Sequence, residues 1–298
     1  MKNPYLMRSL MFVPGHNERL LNSASRSDAD VLLLDLEDSV QPEESKQVAR
    51  DLIKQYLNDG RFEGRSIFPR VNDRESGQLL KDVYQLTIPG IAGFMYPKSR
   101  TAQDIYFFDK LLETIEFEKG IEKGHFKIIA LIETSAAVVN INEICACSDR
   151  VVAVAYGCED FVADLEGIHD AEGMSLFVPR ALIAMAARAN NVIPVDTVHI
   201  KVHDLGDLER NLKIARNLGF EGMLVLNPKE LPIVHQYFSP TPEEVNDALD
   251  TIQLYNESKK NNVGVAIKNN KFIGPPMVTL AEGVLERNRK IESKNSKR

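Results

Sequence analysis

The chain has few cysteines, no concentrated run of positive charge, no long apolar run and no internal repeat, and each absence narrows what it can be. Three cysteines, Cys145, Cys147 and Cys158, cannot build a disulfide framework, and Cys145 and Cys147, two apart in a helical stretch, face different ways. They read as small buried hydrophobes, with Cys158 kept as a candidate thiol because it adjoins Glu159 and Asp160. A formal net charge of -7 without clustered Lys and Arg argues against a phosphate backbone as partner, so no nucleic acid is expected. The basic segment from Arg287 to Arg298 reads as a short, solvated end. No apolar run nears the ~20 residues that span a bilayer, so no membrane partner is expected. Met1 to Leu6 lacks a charged region followed by an apolar one, and a cytoplasmic protein is the expectation.

What is present is a rhythm. Eight short apolar runs recur at helix-length intervals: Ser9 to Val13, Val31 to Leu36, Ser66 to Val71, Ile91 to Tyr96, Lys127 to Ile132, Val151 to Tyr156, Val195 to Ile200 and Gly222 to Leu226. Apolar on both faces, each reads as a buried parallel strand. Between them lie helical spacings with start signals, such as Pro42-Glu43-Glu44 before Val48, Leu52 and Ile53, or Asp207 before Leu208 and Leu212. Eight alternations predict a (β/α)8 TIM barrel over residues 1–238, a length that one core can fill. Residues 239–298 form an extension: a helix from Glu243 to Lys260 with a stripe of Val245, Ala248, Leu249, Ile252 and Tyr255, a strand pair from Val263 to Phe272, and a helix from Pro276 to Arg289. Too small to stand alone, it is expected to pack on the barrel or on a neighbouring subunit.

Barrel chemistry sits at the C-terminal ends of the strands. There the sequence places Gly15-His16, Asp35-Leu36-Glu37-Asp38, Arg70, Pro97-Lys98, Glu133, Glu159-Asp160, Lys201 and Asn227-Pro228, a ring of carboxylates and cations. Glu133 and Asp160 end adjacent strands, and two carboxylates with few other ligands suit Mg²⁺, which keeps waters and accepts substrate oxygens. Arg70 offers a planar fork for a carboxylate or an enolate oxygen. Such a trio can bind a 2-oxo acid and stabilise the charge that develops when an adjacent carbon–carbon bond breaks. The plainer alternative is that Glu133 and Arg70 pair with each other. Asp35, Glu37 and Asp38 repel one another, so at least one holds a cation, Arg70 or Lys98; Glu37 and Asp38 join Arg70 as the candidate catalytic residues, and Asp38 could instead cap the helix near Pro42. His16 could move a proton or cap the helix containing Leu20; the other histidines, including His199 and His203 near strand 7, lack the spacing of a zinc site.

Five segments carry a resemblance: Arg8-Ser9-Leu10-Met11-Phe12-Val13-Pro14-Gly15, Leu34-Asp35-Leu36-Glu37-Asp38-Ser39-Val40, Pro69-Arg70-Val71-Asn72, Ala130-Leu131-Ile132-Glu133-Thr134 and Tyr156-Gly157-Cys158-Glu159-Asp160-Phe161-Val162-Ala163-Asp164-Leu165. They resemble the citrate lyase beta subunit and the malyl-CoA and citramalyl-CoA lyases of the HpcH/HpaI aldolase superfamily, in order and over nearly the whole chain. The resemblance implies a TIM barrel in trimers that uses Mg²⁺ to cleave a 3-hydroxy-3-carboxyacyl thioester, carried on CoA or an acyl carrier, into an acetyl thioester and a 2-oxo acid. It implies that Glu133 and Asp160 hold the metal, Arg70 binds the oxo acid, the Gly157 backbone helps hold its carboxylate, and Arg8 borders the thioester side of the pocket. Two positions depart. Asn227-Pro228 stands where relatives carry His-Pro, and Gly274 stands where they carry the acid/base Asp that a neighbouring subunit receives. That second departure keeps open an aldolase acting on free 2-oxo or hydroxy acids and a non-catalytic oxo-acid-binding paralogue.

Overall fold

The computed structural model describes residues 3–170, 173–201, 204–260, 265–268 and 271–296. Eight parallel strands follow one another around a (β/α)8 barrel: β1 (Ser9–Pro14), β2 (Val31–Asp35), β3 (Ser66–Ile67), β4 (Gly93–Tyr96), β5 (Lys127–Ile132), β6 (Val151–Tyr156), β7 (Ile193–Asp196) and β8 (Gly222–Val225). The ladder runs β3-β2-β1-β8-β7-β6-β5-β4, and Arg70 closes the ring by bridging Asp35 on one side and Met95 on the other. β3 is shorter than the expected Ser66 to Val71 because Pro69 interrupts it with a residue that has no N–H to give. Hydrogen bonding nevertheless continues past it, with Arg70 N on Leu34 O and Val71 N on Met95 O. The strands are buried over nearly all of their length, as their double-sided apolar composition demands. Gly222 lets β8 approach β1, since a Cβ there would lie 1.7 Å from Met7 O.

Other expectations shift. β7 ends at Asp196, not Ile200: Thr197 already leaves the ladder to accept a hydrogen bond from Cys158 N, and His199 turns to side-chain partners. His203 lies outside the described residues. The following helix begins at Leu205, capped by Asp204 Oδ1 accepting from Asp207 N, because the Asp207 carboxylate is occupied by Lys201 and Arg210. The helix expected from Pro42 starts at Ser45.

Arg8 lies away from the C-terminal strand ends. It precedes β1, so the six-residue strand separates it from the mouth by about 20 Å. Its guanidinium is taken by Asp30 at 2.9 Å, and both groups are buried. Arg150, which precedes β6, repeats the arrangement with Glu116 at 2.6 Å. Arginines at the foot of the barrel are braces, consistent with stability residing at that face and function at the other.

The chain divides into two compact units, the described residues of Met1–Asn3 and Met7–Val234 in one and those of Pro4–Leu6 and His235–Arg298 in the other. The division falls inside the helix Leu231–Phe238, a few residues before the expected one. The second unit holds the helix Pro242–Lys260, an antiparallel pair of β9 (Ala266–Lys268) and β10 (Lys271–Ile273), and the helix Pro275–Ser296. Val263 lies outside the described residues. The helix Pro242–Lys260 buries Ala248, Thr251 and Tyr255, whereas Leu249 is 52% exposed, so its buried stripe is narrower than expected. Among the described residues no helix is long and apolar enough to cross a membrane.

Candidate active site

β2 ends on Asp35, and the turn that follows is built around its carboxylate. Glu37 N and Ser39 N donate to its two oxygens at 3.0 Å each. The same oxygens receive Arg70 in the fork arrangement, Nε at 2.7 Å and Nη2 at 2.8 Å. Burial works against the ionised form of Asp35, but the Arg70 bonds outweigh it and hold the carboxyl below its usual range. Burial likewise opposes the Arg70 charge, and the Asp35 bonds override it and pin the guanidinium protonated. Its remaining nitrogen, Nη1, stands 3.2 Å from Glu37 Oε2 and 3.3 Å from Asp38 Oδ2, and the Phe12 ring covers its flat face at 4.8 Å. Asp38 therefore serves Arg70 and not a helix cap.

The turn is fixed from below by a buried polar chain. Lys46 Nζ donates to Leu36 O, Glu37 O and Asn72 Oδ1. Asn72 donates through Nδ2 to Leu36 O at 2.8 Å and to Asp82 Oδ2 at 2.7 Å, and Arg50 closes the chain on Asp82 Oδ1 at 2.6 Å. Sequence reasoning missed Lys46, Asn72 and Asp82 as parts of the site, while Asp35 holds Arg70 as expected of one of the three carboxylates. Only the order LDLED followed by a lysine at the start of the next helix hinted at them.

Glu133 follows β5 and is 4% exposed. Its Oε1 accepts the Lys98 main-chain N–H at 2.6 Å, so it does not spend itself on Arg70 as the plainer alternative supposed. A Cβ at Gly157 would sit 2.9 Å from Glu133 Cβ and 3.3 Å from Oε2, so glycine is what allows the carboxylate its place. Asp160 lies in the first turn of the helix Cys158–Asp164, whose start is tied to the end of β7 by Cys158 N on Thr197 Oγ1 at 3.1 Å. Burial and then Asp160 push Glu133 up to about 7; burial and then repulsion from Asp38 raise Asp160; burial lifts Glu37 to about 8. Burial, and in smaller part mutual repulsion, raises these carboxyls, and a divalent cation among them would relieve both.

The donor set fits Mg²⁺. Glu133 and Asp160 would offer two oxygen ligands to a cation that keeps waters and accepts substrate oxygens, and among the described residues no group of three or more His, Cys, Asp or Glu is placed to hold a metal alone. The cysteines bring no thiolate: burial pushes Cys145 and Cys158 up to about 12 and Cys147 up to about 11. Asn17, not His16, caps the first helix through Oδ1 on Leu20 N, while His16 Nδ1 is buried with no hydrogen-bond partner. Asn227 caps the short turn Pro228–Glu230, accepting from Lys229 N at 3.0 Å. Lys201 holds Asp207 at 3.2 Å.

Residues 8–228 match the HpcH/HpaI aldolase/citrate lyase family. The chain belongs to that family. It is 32% identical over 282 residues to the citrate lyase subunit beta of Haemophilus influenzae, covering 95% of this chain and 97% of that protein. It is 26% identical to the L-malyl-CoA/beta-methylmalyl-CoA lyase of Rhodobacter capsulatus, over 94% of both. Among solved structures it superimposes on the protein CitE of Mycobacterium tuberculosis in complex with magnesium, acetoacetate and coenzyme A, with a TM-score of 0.72 and 26% identity over 94% of this chain and 97% of that one. In this HpcH/HpaI protein, Arg70, Glu133, Gly157 and Asp160 all follow barrel strands at the C-terminal face.

That cluster sets a pH dependence. Glu133 and Glu37 are raised above the ordinary 4.5, so both carry protons near neutrality, and a metal must displace at least the Glu133 proton. Mg²⁺ affinity is expected to rise about tenfold per pH unit below pH 7 and to level off above it, read by calorimetric titration at pH 6 and pH 8. The metal-free protein carries the opposite sign. Its folded state holds these protons longer than the unfolded chain, so stability is greatest below about pH 4.5 from these two groups and is lost as pH rises through 7 and 8.

Proposed function

We propose that the chain is a carbon–carbon lyase of citrate lyase beta type, cleaving a 3-hydroxy-3-carboxyacyl thioester of the citryl, citramalyl or malyl kind into an acetyl thioester and a 2-oxo acid. The observation that carries this reading is Arg70, locked by Asp35 and aimed among the mutually repelling carboxyls of Glu37, Asp38, Glu133 and Asp160. Glu133 and Asp160 would hold Mg²⁺, the cation present in the CitE complex, and it would supply Lewis-acid polarisation at the oxo-acid oxygen. Arg70 Nη1 offers the charge-assisted donor for that oxygen or for the adjoining carboxylate, and its orientation is fixed before substrate arrives, so no reorganisation is needed at the reacting moment. The Gly157 main chain, close beside Glu133, would help hold the substrate carboxylate. In this reading Asp38, beside Arg70, takes the hydroxyl proton when the bond breaks, and Glu37, raised to about 8, gives one to the departing acetyl carbon.

The carrier is a CoA or acyl-carrier thioester, the assembly a trimer with the C-terminal unit serving a neighbour, and the compartment the cytoplasm. Gly274 bears on the proton step. It precedes the helix Pro275–Ser296 with its carbonyl accepting from Met277 N, and a Cβ there would meet only the Phe272 ring edge, 2.8 Å away on an exposed side chain that can turn. An aspartate therefore fits at 274. The test is release of 2-oxo acid from citryl-, citramalyl- and malyl-CoA, with Mg²⁺ and with chelator, by the native protein and Gly274→Asp. Mg²⁺-dependent release by the native protein, accelerated in Gly274→Asp, is expected. Silence in both with all three thioesters contradicts the reading and favours an aldolase for free hydroxy acids.

A further inference from the structure

Lys98 follows β4 with φ of 49°, in the left-handed region where a residue with a Cβ is disfavoured. That conformation lets one residue serve two directions. Its main-chain N–H donates to Glu133 Oε1 at 2.6 Å, past the end of the neighbouring strand β5. Its ammonium turns toward the β2 and β3 side, donating to Asp73 Oδ2 and standing 3.7 Å from Glu37 Oε1. Glu37 in turn stands 3.2 Å from Arg70 Nη1. The turn does not need a lysine to form, because Ser99 closes it by donating its hydroxyl to Tyr96 O at 3.0 Å and a glycine at 98 would adopt the same φ without strain. Left-handed residues other than glycine persist where their surroundings over-determine them, and they gather at functional sites.

Resting on the lyase reading above, we propose that Lys98 is a positioning residue for the reaction: its main-chain N–H fixes the metal-binding carboxyl of Glu133, and its ammonium fixes Glu37 against Arg70. The two halves of the site, metal ligands on one side and the oxo-acid arginine on the other, are joined through this one residue. Burial works against the Lys98 charge, but Asp73, Glu37 and Glu133 more than restore it, so the ammonium is present throughout the working range. The amine is also 43% exposed, which places it at the open rim.

The two halves separate experimentally. Lys98→Met and Lys98→Gly both keep the N–H to Glu133 and remove a positive charge from among carboxylates. Mg²⁺ alone should then bind about threefold or more tighter, by loss of charge repulsion. Oxaloacetate and pyruvate, titrated with Mg²⁺ present, should bind about tenfold more weakly because Glu37 is no longer held in its place beside Arg70 Nη1. Lys98→Arg should restore most of the oxo-acid affinity, and Lys98→Gly should melt no lower than the native protein. Opposite shifts for metal and oxo acid support the proposal. Unchanged binding of both, or parallel weakening of both with a lower melting temperature, overturns it while leaving the lyase reading intact. A native protein that takes up no Mg²⁺ overturns the lyase reading and this proposal with it.

Discussion

Glu133→Ala and Asp160→Ala each abolish Mg²⁺ binding and lower thioester cleavage by about a thousandfold or more, the loss expected when a Lewis acid worth several kcal/mol leaves a polar transition state. Neither substitution unfolds the barrel. Burial and carboxylate repulsion raise both groups, so their charge costs folding energy in the metal-free protein, and removing it leaves the melting temperature unchanged or higher. Glu133→Gln sharpens the comparison, since the amide oxygen still accepts the Lys98 N–H while the charge is gone. Calorimetric titration with Mg²⁺ and thermal melting of the same samples check both halves. A thousandfold loss accompanied by a collapsed melting transition would assign these residues to folding and remove them from the metal site.

Arg70→Met is expected to be costly on both axes. It removes the donor that faces the oxo acid, worth about 10²–10³ in turnover for a preorganised charge-stabilising group. It also strands Asp35, 1% exposed and otherwise bidentate to Arg70, so folding stability falls by about 3–5 kcal/mol. The double variant Arg70→Met with Asp35→Asn separates the two, because a neutral amide at 35 no longer buries an unpaired charge. Much of the stability should return in denaturant titrations while turnover stays lost. Arg70→Lys should recover little activity, since an ammonium cannot span both Asp35 oxygens and still present a third donor to the mouth.

The barrel and its ring were legible because parallel strands must be apolar on both faces, and eight such runs leave little choice of closure. Arg70, Glu37, Asp38, Glu133 and Asp160 were legible for the same reason: a charge just past an apolar run lies at a strand end. Register and direction of side chains were not. Arg8 reads identically whether it starts a strand or lines a pocket, and only Asp30 beside it decides. Ser66 to Val71 looked continuous because the consequence of Pro69, a missing donor, shows only against its neighbours. The Lys46-Asn72-Asp82-Arg50 chain ties the turn to residues as far along the sequence as Asp82, and no local pattern announces such partners. Asp35 was seen as one of three repelling carboxylates, whereas its fork to Arg70 makes it the group that aims the arginine. Lys98 was seen as a cation at the mouth, and its left-handed backbone was beyond what composition can express.

The most direct measurement is calorimetric titration of oxaloacetate, pyruvate and glyoxylate into the native protein with Mg²⁺ and again with chelator, repeated on Glu133→Gln. A 2-oxo acid that binds with Mg²⁺, is lost with chelator and is lost in Glu133→Gln is the expected result. Binding that survives chelation, or that Glu133→Gln leaves untouched, would contradict a metal-borne oxo-acid site at the mouth of this barrel.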